Sequence, residues 1–119
     1  MSNEIVFITG ASTGLGLETV KVLIRSSKTY TILLGGRSME KAEYAVRQLR
    51  EEYPTSSSII VPVQVDIEDD ESIQKAYNYI SSHYAQVDVL INNAGFIKIH
   101  IIDKNTTGTQ LDQQWYLGK

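Results

Sequence analysis

Ile5-Val6-Phe7-Ile8-Thr9-Gly10-Ala11-Ser12-Thr13-Gly14-Leu15-Gly16 is an apolar run that breaks into closely spaced glycines and then opens a helical pattern. It reads as a strand, a tight turn and a helix N-terminus in succession. That junction suits a phosphate, because the first backbone N–H groups of a helix lack intrahelical partners and the helix dipole places partial positive charge there. Gly10 permits the tight turn, Gly14 leaves no Cβ between chain and ligand, and Gly16 lets the helix pack against the strand. Apolar residues on consecutive positions, Val6, Phe7 and Ile8, indicate a central strand covered on both faces.

Outward from this stretch the chain alternates between two periods. A helix is expected from Leu15 to about Ser27, with Val20, Leu23, Ile24 and Ser27 on its inner side. Tyr30 to Leu34 reads as a second strand, ended by Gly35-Gly36. Ser38 is a fitting N-cap for the next helix, whose Met39, Ala42, Ala45, Val46 and Leu49 recur at the spacing of one helical face until Pro54 stops it. After a short polar loop, Ile59 to Val65 supplies strand three. Glu68, Asp69, Asp70 and Glu71 complement the dipole of a third helix with Ile73, Ala76, Tyr77, Ile80 and Tyr84 on its buried face, and Val87 to Ile91 is strand four. Strands alternating with helices at this spacing imply crossover units and an α/β, doubly wound parallel sheet.

With 119 residues, 42% apolar and 21% charged, the chain has the composition of one soluble globular domain. A net charge of −3 without any basic run argues against nucleic acid or an anionic membrane as partner. The absence of cysteine excludes disulfides and thiolate metal sites, and with His83 and His100 as the only histidines no metal site is expected. The apolar runs are too short for a membrane span or a signal core, so a cytoplasmic location is expected by default.

Arg37 lies 21 residues beyond Gly16, just past the second strand, where a dinucleotide fold reads the adenosine ribose. An acid there holds a 2′-hydroxyl. An arginine instead offers a fork of donors to a 2′-phosphate, which favours NADP over NAD. Ser12 and Ser38 could add neutral hydrogen bonds to the same phosphate. The plainer reading of Arg37 is a solvated residue at a helix start.

Three markers now stand in order, each after a strand: Thr-Gly-x-x-x-Gly-x-Gly at 9–16, Asp66-Ile67, and Asn92-Asn93-Ala94-Gly95. Together they resemble the short-chain dehydrogenase/reductase family over residues 4–95. Gly16-Leu17-Glu18 and the run Asp88 to Gly95 are locally similar to carbonyl-reductase-like members. The resemblance implies a Rossmann-type sheet with NAD(P) across the carboxyl ends of its strands, in oxidoreductases acting on alcohols and carbonyls. It further implies that Gly10, Ser12, Thr13, Gly14, Leu15 and Gly16 hold the pyrophosphate, that Asp66 and Ile67 flank the adenine, and that Asn93, Ala94 and Gly95 line the cofactor cleft. Arg37 matches NADP-preferring members. Asp66 also suits a strand-end cap and Asn92 a backbone-bonding turn residue.

The family's chemistry needs a tyrosine, a lysine four residues later and a serine, all downstream of the Asn-Asn-Ala-Gly turn. No tyrosine of this sequence has lysine four positions on; Tyr116 and Lys119 are one residue too close. No catalytic residue is therefore assigned. The expectation is a dinucleotide-binding half-domain at 1–95, truncated after about four strands and inactive alone, followed by a divergent tail at 96–119 of the same domain. In that tail the alternation Ile97, Lys98, Ile99, His100, Ile101 marks an edge strand at 96–102, and Leu111 with Trp115 four apart marks a short helix at 107–116. A sheet ending at strand four exposes an edge, which residues 96–102 could cover by folding back or by pairing with another chain; an extended loop is the plainer alternative. A non-enzymatic nucleotide-binding or interaction module derived from the family, self-associating through that edge, is the second functional reading.

Overall fold

The structure, a computed structural model of the chain, describes residues 3–93, 97–102 and 110–115. Strands β1 (Glu4–Thr9), β2 (Tyr30–Gly36), β3 (Ile59–Gln64) and β4 (Val89–Asn92) form one sheet in the order β3-β2-β1-β4. Every pairing in it is parallel. Helices α1 (Gly14–Arg25), α2 (Met39–Glu52) and α3 (Asp70–His83) make the crossovers. The expected doubly wound α/β sheet is what the chain forms.

Period-two alternation divides the strands between two layers. Val6, Ile8, Ile32, Leu34 and Ile60 pack with Val20 and Ile24 of α1 and Ala42, Ala45, Val46 and Leu49 of α2. Leu33, Val63 and Val65 pack on the other face with Ala76 and Ile80 of α3. Central strands covered on both sides must be apolar at every position, which is why β1 and β2 read as continuous runs.

Several expected boundaries shift for identifiable reasons. Helix α1 ends at Arg25 because Ser26 is already extended, so Ser27 lies beyond it and is exposed. Met39, expected on the inner face of α2, opens that helix and is exposed. Gly35 and Gly36 do not end β2 but continue it, paired with Val63 and Gln64. Strand β4 starts two residues later than expected. Asp88 ties its start to β1, receiving the Ile5 N–H on Oδ2 at 2.7 Å and donating its own N–H to the Ile5 carbonyl at 2.9 Å.

The tail corrects one expectation and refines another. The short helix placed at 107–116 is not formed: Gln110–Trp115 is strand β6. Its antiparallel partner is β5 (Ile97–Ile102); the two make a two-stranded sheet of their own, and β5 is not paired with β4. Positions four apart satisfy a period of two as well as one of 3.6, so Leu111 and Trp115 could not distinguish strand from helix. In the strand they stand opposite Ile101 and Ile97. The Tyr116–Lys119 pair lies outside the described residues.

Candidate functional site

The carboxyl ends of the four parallel strands bring the sequence markers together. In the order β3-β2-β1-β4 the chain builds outward from β1 in one direction and then crosses to its other side for β4. The β1–β4 boundary is therefore the switch point of the sheet, where the loops leaving two neighbouring strands diverge and open a crevice.

One side of that crevice is the glycine turn. Gly10 and Gly14 have φ of 59° and 60°, in the left-handed region that glycine adopts without steric cost. Gly16 has no room for a side chain: a Cβ there would collide with the Gly10 carbonyl oxygen and come within 2.8 Å of Asn93 Nδ2. At Gly14 a Cβ would meet no atom within 4 Å. Gly16 is thus required by the packing of the chain on itself, whereas the space beside Gly14 is open. Ala11 anchors the turn to the next strand, its N–H donating to the Gly35 carbonyl at 2.8 Å.

The opposite side is the end of β4, and a buried polar network joins the two. Thr9 and Asn92 are register partners, and the Thr9 hydroxyl donates to Asn92 Oδ1 at 2.9 Å. The same hydroxyl oxygen accepts the Asn93 N–H at 3.1 Å, while Asn93 Nδ2 donates to the Gly10 carbonyl at 3.3 Å. Asn92 Nδ2 is buried and has no hydrogen-bond partner among the described residues. A buried donor left unpaired costs about 1–3 kcal/mol, the kind of local cost that functional sites carry. Asn93 therefore supports the glycine turn, and Asn92 bonds a side chain rather than a backbone group. Asn92 and Thr9 were not among the candidate residues; their signal was a polar residue at the last position of an otherwise apolar strand.

Helix α1 opens at this crevice without a side-chain cap. Thr13 at its N-cap position makes no capping hydrogen bond, in contrast to Ser38, which accepts the Lys41 N–H in α2, and Asp69, which accepts the Glu71 N–H in α3. Thr13, Gly14 and Leu15 are exposed, Leu15 to 77%, and Ser12 is half-buried. A Cβ on Gly36 would lie 3.4 Å from Ser12 Oγ, so the end of β2 carries the serine against it.

Arg37 follows Gly36 directly and is exposed; its guanidinium makes no ion pair with a described residue. Gln64 Nε2 donates to its backbone carbonyl at 3.4 Å. Lys21 lines a hollow of about 210 Å³ that also touches Ser12, but its ammonium is held by Glu18 and Glu52, each at 3.5 Å. The Glu52 carboxylate raises the Lys21 pKa above its ordinary value. Among the described residues, Arg37 is the cation at the strand ends that makes no ion pair.

At the end of β3, Asp66 is half-buried and its Oδ1 accepts the Glu68 N–H at 3.1 Å, which is the strand-end turn its sequence position suggested. Ile67 beside it is also half-buried. Ala94 and Gly95 lie outside the described residues. Among the described residues no cluster of His, Cys, Asp or Glu could hold a metal ion, and no helix is long and apolar enough to cross a membrane.

The arrangement fits a dinucleotide. Uncapped helix donors, an open cradle at Gly14, an exposed apolar Leu15, a free guanidinium and a carboxylate stand along one edge of the sheet, as a ligand with phosphates at intervals and planar rings requires.

Comparison with known proteins points the same way. The sequence model of the family described as short chain dehydrogenase matches residues 4–116. A short-chain dehydrogenase/reductase of Talaromyces stipitatus is 38% identical over 92 residues, covering 77% of this chain and 35% of that protein. The chain thus spans about a third of the length of this curated relative. Among solved structures, menthone neomenthol reductase from Mentha piperita superposes with a TM-score of 0.71 at 27% identity, covering 80% of this chain and 32% of that one. NADPH-bound carbonyl reductase from chicken fatty liver gives 0.64 at 26% identity, covering 91% and 40%.

Proposed function

This chain belongs to the short-chain dehydrogenase family, and from that premise we propose that it binds a nicotinamide dinucleotide, NADP(H) in preference to NAD(H), across the carboxyl ends of β1 to β4. It does so as the cofactor-binding part of an oxidoreductase for alcohol and carbonyl groups. The observation that carries this reading is the hydrogen-bonded junction of the two markers, Thr9 to Asn92 and Asn93 to Gly10, which holds the glycine turn open beside an uncapped helix.

In this reading the pyrophosphate lies on Gly10, Ser12, Thr13, Gly14, Leu15 and Gly16, where the N-terminal N–H groups of α1 donate to it. Arg37 pairs with the 2′-phosphate, supported by Ser12 and Ser38. Asp66 and Ile67 border the adenine, and Asn93, Ala94 and Gly95 line the cleft beyond. The dinucleotide supplies the hydride chemistry; these residues bind and orient it. The NADPH held by the similar chicken carbonyl reductase supports the choice of cofactor.

Selectivity tests the reading. Arg37→Ala should weaken NADPH about tenfold and leave NADH nearly unchanged, since a charge-assisted contact contributes on the order of 1.5 kcal/mol or more. Equal losses for both would mean that Arg37 does not read the phosphate.

The second reading is a nucleotide-binding module without catalysis; within residues 1–119 no tyrosine has lysine four positions on. The 119-residue chain should bind NADPH without turning it over. NADPH-dependent carbonyl reduction by the purified chain, lost in Tyr116→Phe, would contradict this.

A further inference from the structure

A hollow of about 330 Å³ lies at the end of the sheet opposite the glycine turn, where α1 and α2 finish and β2 and β3 begin. Its floor is apolar, since Ile24, Leu49 and Ile60 line it and are buried. Arg50, Tyr53, Ser56 and Ser58 make its polar side. Ser58 Oγ accepts the Tyr30 N–H at 3.0 Å and Ser56 Oγ accepts the Ser58 N–H at 3.1 Å, so each hydroxyl keeps its proton to donate. Arg50 Nη2 donates to the Ile60 carbonyl at 3.1 Å, which leaves the remaining guanidinium N–H groups without a described partner. The Tyr53 hydroxyl oxygen accepts from Arg25 Nη1 at 3.3 Å and keeps its own proton as well. The side chains of this rim therefore offer donors.

Charge selects among the ligands such a rim could take. Arg25 and Arg50 stand in the last turns of α1 and α2, and neither makes an ion pair with a described residue. The plain account is that they offset the helix dipoles, but each helix end carries only about half a negative charge against a whole positive one. No carboxylate lines the hollow, and Glu52, in the same turn as Arg50, holds Lys21 at 3.5 Å. The local balance is positive, so a cation is repelled and an anion is attracted. We propose that the hollow binds a small organic carboxylate, its apolar body on Ile24, Leu49 and Ile60 and its oxygens on Arg50 and the Ser56 and Ser58 hydroxyls. The volume, at the lower end of the range for small-molecule sites, suits one ring on a short chain. The site shares no residue with the strand-end crevice and does not rest on the dinucleotide reading.

The test titrates the isotopically labelled full chain with 3-phenylpropionate and follows amide shifts. Saturable shifts at Tyr30, Ser56, Ser58 and Ile60 are expected. The neutral 3-phenylpropionamide, which keeps the body and loses the charge, should bind at least about tenfold more weakly, the scale of one charge-assisted hydrogen bond. Acetate, which keeps the charge and loses the ring, should also bind at least about tenfold more weakly. Arg50→Gln should bring the acid and the amide within about threefold of each other. Should that variant fail to melt cooperatively, Ser56→Ala takes its place and should lower the ratio of acid to amide at least about twofold. NADPH at saturating concentration should leave the four shifts in place. No saturable shift at these amides, equal binding of acid and amide by the wild type, equal binding of acetate, or an unchanged ratio in the variant overturns the proposal. So does displacement of the acid by NADPH, which would place it at the carboxyl ends of the strands. A chain that binds NADPH but not the acid loses this site and keeps the dinucleotide reading; one that binds the acid but not NADPH does the reverse.

Discussion

Gly14 and Gly16 are two residues apart and face different constraints. Apart from its chain neighbours and its own helix backbone, a methyl group at Gly14 meets no atom of the described residues within 4 Å, so Gly14→Ala costs folding only the strain of a left-handed alanine, about 1–2 kcal/mol. A methyl at Gly16 strikes the Gly10 carbonyl oxygen and approaches Ala11 Cα to 2.9 Å, so Gly16→Ala should destabilise by about 1–3 kcal/mol through backbone displacement. Thermal melts read beside NADPH titrations separate the two. Gly14→Ala should lose at least about tenfold in affinity, or roughly 1.4 kcal/mol, while still melting cooperatively, because its methyl projects into the open space where the pyrophosphate is proposed to lie. Both glycines were legible in the sequence because their spacing is local. Thr9 and Asn92 were not: they are 83 positions apart, and only the register of β1 against β4 makes them partners.

The helices differ at their first residues. Asp69 and Ser38 cap α3 and α2, whereas the Thr13 side chain makes no capping bond in α1. Asp69→Ala should therefore cost about 1 kcal/mol, a fall of about 4–8 °C in Tm for a domain of this size. Thr13→Ala should change stability by less than about 0.5 kcal/mol. Comparable losses would show that the α1 terminus is held by its own side chain and is not left for a ligand. The existence and type of α1 to α3 could be read from their periodicity and capping residues, but two other segments misled. At Gly35-Gly36 the residue type suggested a strand end. Yet Gly35 lies where a Cβ would come within 2.8 Å of the Ile8 carbonyl oxygen, so glycine is there for a close approach inside the sheet. At 110–115 the spacing of Leu111 and Trp115 fits both periods, and the pairing with β5 that selects the strand is not encoded locally.

For the molecule as a whole, the decisive fact is the strand order. Period-two and period-3.6 patterns distinguish strands from helices but do not say which strands are neighbours; β1 lies between β2 and β4 because crossovers cover both faces of one sheet. That order puts the glycine turn, Arg37, Asp66 and Asn93 along a single edge and puts the switch point between the two sequence markers. The central claim is that this edge binds a nicotinamide dinucleotide. Titration of the isotopically labelled chain with NADPH, followed by amide chemical shifts, tests it most directly. Saturable shifts concentrated at residues 10–16, Arg37, Asp66 and Asn93, with NADH needing at least about tenfold more ligand, are the predicted result. No saturable shifts, or shifts concentrated at the opposite end of the sheet near Tyr30 and Ser58, would contradict it.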